Sequence, residues 1–423
     1  MVGKNSQTLK ESYQNEEEFI AYTYIEDEHL KVLEKLADDL NAAKIWVKKV
    51  DRLGKSSAKV YDVVFSHKNG VQYIVKIDFI KDIRKECYAL TKLSTTFNEI
   101  YNGHHNTLDK SMLKKGWICP EELINNYEAL AYENKLGVNR QEIKQAENIG
   151  KGELERLILS EEFEPSPTYY KDIITKVYDH CFKCTYSETN VLPQEINLKN
   201  KYDDWEYFRE KGSEERIQSI ISSIPQKDHL FKLIDYLGEK EIMDPIFALN
   251  SLFNRNHNCI LGPVHGDLHL RNIIIDKEDK PHLIDFKWAD TNRHIFLDYV
   301  IMECSLRFYL LPSCYNLKFE TQINEILLEE FGYSNIPYTD SEIINNYHII
   351  MKNMIAEIRN QARTTVESLN LTYNFNEYLS ALFLFLYGVI EVNEFHQYLS
   401  VHALGSIARK LRDFASRNNN KLW

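Results

Sequence analysis

Two periodicities divide this chain. Near its start, short apolar runs rich in β-branched and aromatic residues alternate with polar breaks. Residues 44–50, 60–65 and 71–77 have this strand character, and His67-Lys68-Asn69-Gly70 separates the last two. An Asn-Gly pair between apolar runs favours a hairpin, because both residues tolerate positive φ. Residues 117–133 predict two more strands, ending on Tyr-Glu-Ala-Leu-Ala-Tyr-Glu. Elsewhere apolar residues recur at three- and four-residue steps. Phe19, Ile20, Tyr24, Leu30, Leu33, Leu36 and Leu40 predict one or two amphipathic helices ahead of the strands. Residues 82–93, 295–310, 343–369 and 378–397 predict further helices, and 406–417 a basic amphipathic end carrying Arg409, Lys410, Arg412 and Arg417.

Between 135 and 256 the chain is charged and mostly helical in pattern, with breaks at Pro165 and Pro167 and polar turns near Pro193 and Lys199. We expect a helical insertion there, in which the aromatic run 205–208 packs into a core. These patterns divide the chain into a helical extension (1–40), a strand-rich segment (41–134), the insertion (135–256) and a C-terminal part (257–423).

Composition narrows the possibilities. With 43% hydrophobic and 27% charged residues over 423 positions, the chain has the profile of a globular protein with two or three lobes. Only 15 glycines and 10 prolines favour long helices over a turn-rich β fold. A net charge of −12 argues against a nucleic-acid backbone as the main partner, since that binding is driven by Lys and Arg. The seven cysteines are odd in number and scattered, unlike a disulfide framework, and Cys181-x-x-Cys184 has no second pair at zinc-site spacing. The start is polar rather than signal-like, and the longest apolar run, 379–390, is too short to span a bilayer. A cytoplasmic location without membrane association is expected.

The chemistry is concentrated between 259 and 307. His265, Asp267 and Asn272 are expected on a loop, followed by an apolar strand at 273–275, a charged turn at 276–280 and a second strand at 282–284 that ends on Asp285. The hairpin is expected to return Asp285 to the loop, so that two carboxylates and an amide supply oxygen ligands suited to Mg²⁺. Upstream, Lys76 interrupts an apolar strand, where a buried ammonium needs an anion. Gly54, Ser56 and Ser57 form a small-residue loop able to offer hydroxyls and N–H groups to a phosphate. The loop lacks G-x-G-x-x-G, and it is not a Walker loop, because Lys49 stands where that motif needs its first glycine.

His265-Gly266-Asp267, His269 and Asn272 match H-G-D-x-H-x-x-N, and on these residues the chain resembles the aminoglycoside phosphotransferase and choline kinase family. The resemblance implies an α+β, bilobal protein-kinase-like fold: an N-lobe with a small antiparallel sheet and one helix, and a large, mostly helical C-lobe. It also implies ATP and Mg²⁺ as cofactors and a reaction that moves the γ-phosphate to a hydroxyl. Asp267 would orient the acceptor, Asn272 and Asp285 would hold the metal, and Lys76, paired with Glu86, would grip the α and β phosphates. His269 would stand where protein kinases place a lysine, His265 and Asp298 would brace the loop, and Ala131, Tyr132 and Glu133 would meet adenine.

From His265 to Phe308 the pattern is also similar to phosphotransferase-like proteins of bacterial conflict and defence systems, Glu303, Ser305, Leu306 and Arg307 included. Two other classes stay open on the same residues: a nucleotide-binding pseudokinase that serves as an interaction module, and an AMP transferase. The acceptor stays open between a small molecule and a macromolecule, with a protein partner possible.

Overall fold

The computed structural model describes residues 29–34, 45–50, 59–65, 72–79, 85, 127–133, 154–159, 168–181, 186, 191–203, 210–223, 243–275, 279, 281–283, 285–309, 317–336, 342–391 and 397–418. It is helix-rich, with small antiparallel sheets. The chain divides into two compact units, one drawn from 1–152 and 274–289, the other from 153–273 and 290–423.

The first unit is built on a four-stranded sheet in the order β1 (Ile45–Val50), β2 (Lys59–Phe65), β3 (Gln72–Phe79), β4 (Tyr127–Glu133). All three pairings are antiparallel. Strand β3 is central, and its alternation puts Val75 and Ile77 on one face and Lys76 and Asp78 on the other. All four are buried, so the sheet is covered on both sides of β3. Tyr61, the cross-strand partner of Val75, shares the apolar face, and its hydroxyl lies 2.8 Å from Nδ1 of His29 on a helical stretch at 29–34. Val32 and Leu33 of that stretch are also buried. Of the strands expected over 117–133, β4 is described and 117–126 lies outside the described residues. So do the Asn69-Gly70 turn and all of the helix expected over 82–93 except Lys85.

The second unit carries helices α1 (Leu154–Leu159) and α2 (Tyr169–Cys181), strand β5 (Leu192–Asn197), and α3 (Leu198–Asp203), α4 (Glu210–Ser223) and α5 (Pro245–Leu252). Strand β6 (Asn256–Val264) follows and lies at the centre of a sheet ordered β5-β6-β9. The expectation of a helical insertion over 135–256 therefore missed a strand. Leu-Pro-Gln-Glu-Ile-Asn has weak β propensity and contains Pro193, which favours a turn in isolation. Register with β6 overrides that preference, and β5 is an edge strand, where a residue without an N–H is tolerated.

After β6 come the residues of the candidate loop, then β7 (Ile273–Ile275) and β8 (Pro281–Leu283), which pair as a two-stranded sheet as the sequence predicts. Strand β9 (Asp290–His294) returns the chain to β6 and leads into α6 (Leu297–Cys304). The single helix expected over 295–310 is α6 followed by a wider π-helical turn, Ser305–Tyr309.

The remaining helices are α7 (Leu317–Ile326), α8 (Glu342–Ser368), α9 (Phe375–Val389) and α10 (Gln397–Arg417). Every residue of α9 from Glu377 to Val389 is buried, the pattern of a helix enclosed on all sides. It packs on α6 and α10, and Phe383 stacks on Phe253 at 5.1 Å between ring centroids. The basic end of α10 is matched by acids near the end of α7: Arg409 pairs with Glu325 at 2.5 Å, and Lys410 pairs with Glu329. Cys259 and Cys304 are buried free thiols, whereas Cys184 and the aromatic run 205–208 lie outside the described residues. Among the described residues no helix is long and apolar enough to cross a membrane.

Candidate active site

The candidate loop leaves the end of β6, the middle strand of its sheet, and is held from below by a single carboxylate. Asp298, in the first turn of α6 and wholly buried, accepts the backbone N–H of His265 at Oδ2 (2.7 Å) and that of Gly266 at Oδ1 (2.8 Å). Gly266 has φ of 81°, a left-handed conformation that a side chain would strain. That twist lets successive N–H groups converge on one acid. Burial pushes the Asp298 carboxyl up to about 7, and the two N–H donors work against that shift.

Within the loop the polar groups bind one another. Nδ1 of His265 accepts the Asp267 N–H at 3.3 Å, so both the backbone and the ring of His265 are engaged. Residues Leu270–Asn272 form one 3-10 turn, capped by Nδ1 of His269, which accepts the Arg271 N–H at 3.2 Å. Asn272 is buried, and its Nδ2 donates to the Asp267 carbonyl at 2.8 Å and to Oδ2 of the same residue at 3.4 Å. With the amide nitrogen turned to Asp267, the amide oxygen is the atom that can serve a cation. Nε2 of His269 lies 3.7 Å from Oδ2 of Asp267, and these two side chains are 35% and 22% exposed. The loop thus buries its supports and leaves the Asp267 carboxylate within reach of solvent.

In the first unit, Lys76 donates from Nζ to Oδ1 of Asp285 at 2.7 Å, with side chains 9% and 29% exposed. A buried ammonium on the polar face of β3 therefore meets an anion, as the sequence requires. Asp285 has φ of 64°, unusual for a residue with a side chain. Such backbone outliers concentrate where a side chain must be aimed. The next residue, Phe286, is buried, and Nζ of Lys85 sits 3.6 Å from the Trp288 ring centroid. Ala131, Tyr132 and Glu133 pair in register with Val75, Ile74 and Tyr73, which places the expected adenine-binding backbone beside the lysine strand. Gly54, Ser56, Ser57 and Glu86 lie outside the described residues.

Two groups of side chains in the second unit are ones that local sequence does not assemble. The first is Arg271 with Glu155 and Tyr309: Nε of Arg271 donates to Oε2 of Glu155 at 2.8 Å, and the guanidinium carbon lies 4.5 Å from the Tyr309 ring centroid. The second is a buried cluster in which Glu303 accepts from Arg307, Arg359 and Tyr378. Glu303 and Arg307 stand at helical i,i+4 spacing, a legible signal. Glu155, Arg359 and Tyr378 are far away in sequence, so no local pattern points to them.

A sequence-family profile described as "Ternary complex associated domain 9" matches residues 204–389, less than half of the chain. No curated protein matches in sequence. Among solved structures, the chain is similar to a glucosamine kinase in complex with glucosamine, ADP and inorganic phosphate. That alignment has 11% identity, covers 93% of this chain and 84% of the other, and has a TM-score of 0.39. It is similar to a fructosamine-3-kinase of Thermobifida fusca at 11% identity, covering 89% and 98%, with a TM-score of 0.39. It is also similar to an ethanolamine kinase of Plasmodium vivax at 16% identity, covering 90% and 86%, with a TM-score of 0.36. Likeness at these levels defines neither activity nor substrate.

Proposed function

We propose that the protein is a Mg²⁺-dependent phosphotransferase that moves the γ-phosphate of ATP to a hydroxyl. The observation that carries this reading is the 2.7 Å pair between Lys76, buried on its strand, and Asp285, the acid that ends the hairpin. Phosphoryl transfer of the protein-kinase kind needs a strand lysine for the α and β phosphates and an acid for the metal. The loop supports the same reading: a fixed backbone presents Asp267, and Asn272 is oriented by its own bonds to that residue.

In this reading Asp267 orients the acceptor hydroxyl and takes its proton, while His265 and Asp298 hold the loop. His269, beside Asp267, takes the place where protein kinases use a lysine. Asn272 and Asp285 are the protein ligands of the divalent cation, and both offer the hard oxygen donors that Mg²⁺ prefers. When bound, that cation neutralises phosphate charge. Lys76, paired with Asp285, would also hold the α and β phosphates, Glu86 is its second anion, and Gly54, Ser56 and Ser57 cover the triphosphate. Ala131, Tyr132 and Glu133 offer backbone groups to adenine. A bilobal arrangement, a cytoplasmic location and a role in a bacterial conflict or defence module, with a protein partner, belong to the same proposal. The last of these rests on the motif from His265 to Phe308.

The test is transfer from γ-labelled ATP to candidate acceptors, small-molecule and protein, with the mass of the product determined. Asp267→Ala should lower transfer on the order of a thousandfold and leave nucleotide affinity within about threefold. Normal turnover in that variant would remove the assigned base. An acceptor gaining AMP instead of phosphate selects nucleotide transfer, and metal-dependent ATP binding without turnover selects a pseudokinase.

A further inference from the structure

Arg271 belongs to the candidate loop, but none of the assigned roles uses it. Its backbone N–H is bound by His269, and it shares a single 3-10 turn with Asn272. Its side chain runs the other way. Nε reaches Glu155 on α1 at 2.8 Å, and the Tyr309 ring, in the π-helical turn after α6, lies 4.5 Å from the guanidinium. The Arg271 and Glu155 side chains are 24% and 11% exposed, and at this depth a charge-assisted hydrogen bond is screened less than at the surface. The planar guanidinium can stack on a ring and bond a carboxylate at once, which an ammonium cannot reproduce.

We infer that Arg271 is a positioning residue: Glu155 and Tyr309 clamp its side chain and so fix the rotation of the turn that carries Asn272, which in turn holds Asp267. The chain of contacts is continuous. Glu155 binds Arg271, Arg271 and Asn272 share one turn, and Asn272 Nδ2 binds the Asp267 carbonyl and carboxylate. Asp298 holds the start of the loop, at His265 and Gly266, whereas the clamp holds its end. A loop fixed at one end can still swing its last residues, and an error of about 1 Å in a reacting group can lower a rate a hundredfold.

This inference rests on the phosphotransfer reading for its kinetic consequence, but not for its structural one. The experiment therefore has two arms on the full chain, comparing wild type with Glu155→Gln, Arg271→Lys and Tyr309→Leu. The first arm measures amide hydrogen exchange over 265–272. Wild-type protection should fall by roughly tenfold in Glu155→Gln while that of 297–304 is unchanged. The second measures phosphate transfer: kcat should fall roughly tenfold with KM for ATP within about twofold, and Arg271→Lys should restore little, since it keeps charge without the planar contact.

Unchanged exchange over 265–272 overturns the clamp. Faster exchange with unchanged kcat overturns its positioning role, and a rise in KM alone assigns the residue to nucleotide binding instead. A wild-type protein that transfers no phosphate overturns the functional reading, and the exchange arm then decides the clamp by itself.

Discussion

Helix α6 carries two buried acids five residues apart, and they are handled in opposite ways. Asp298 receives two backbone N–H groups, and burial pushes its carboxyl up to about 7. Glu303 is just as buried, and burial is again the largest influence, pushing upward. Arg359 and Arg307, with the Tyr378 hydroxyl, reverse that push and hold the carboxyl down near 2. Arg359 also donates to the carbonyls of Leu327, Glu329 and Glu330, where α7 has ended. Two guanidiniums against one carboxylate leave positive charge, and those carbonyls offset part of it. The contrast separates two uses of a buried acid. Glu303 ties α6, α7, α8 and α9 together. Asp298 is held at a strained ionisation because the loop needs its oxygens.

The largest effect should come from Arg359→Ala. It removes two donors from Glu303 and abandons three carbonyls, leaving a buried carboxylate with Arg307 and Tyr378. Breaking a buried pair from one side costs about 3–5 kcal/mol, which denaturant unfolding monitored by tryptophan fluorescence will read. A loss below about 1 kcal/mol would show that the cluster does not tie the helices.

Asp298→Asn should do the reverse: cost little stability and much activity. The amide keeps one acceptor and turns a donor towards the other N–H, so the loop start loosens. We expect transfer to fall roughly a hundredfold. The pH dependence carries the sign of the contrast. A folded value of about 7 lies above the ordinary 3.8, so the folded protein binds the proton more tightly than the unfolded chain. The stability linked to Asp298 is thus fully present below about pH 4 and lost as pH rises through about 7. For Glu303 the folded value lies below the ordinary 4.5, so its contribution is present above that and lost as pH falls towards about 2. Between pH 4 and 7, wild type should therefore lose stability relative to Asp298→Asn, by an amount on the order of a few kcal/mol. A difference that is flat with pH removes the strained ionisation from the argument.

The same contrast measures how far the sequence could be read. The strands of the first sheet were legible because β-branched residues alternate there, and the β7–β8 hairpin because a charged turn separates two apolar runs. The loop residues stood out because an H-G-D-x-H-x-x-N spacing has few other uses. What stayed hidden depends on distance along the chain. Leu192–Asn197 becomes a strand only because β6 lies beside it. Glu155 finds Arg271 across 116 positions, and Arg359 finds Glu303 across 56. A lone acid on a helix and an arginine on another look like solvated surface until packing brings them together. The contribution of Glu86 and of the small-residue loop stays a matter of sequence pattern, since neither is among the described residues.

The smallest effect is the most selective. The Tyr378 hydroxyl donates to Oε2 of Glu303 at 2.8 Å, while its ring packs edge-on to Phe296 at 5.6 Å and stacks on Phe375 at 5.8 Å. Tyr378→Phe keeps both ring contacts and removes one donor from a carboxylate that retains two arginines. Hydrogen bonds to charged groups contribute roughly 1.5–3 kcal/mol, and the remaining donors can absorb part of the loss, so about 1 kcal/mol is expected. Burial holds the phenol well above its ordinary value, so the hydroxyl stays a donor at every pH where the protein folds. The bonds of this cluster run among α6, α7, α8 and α9, and transfer should be unchanged. If Tyr378→Phe lowers kcat as much as Asp298→Asn does, the two ends of α6 are not separate devices. The buried cluster would then have to be counted among the supports of the loop.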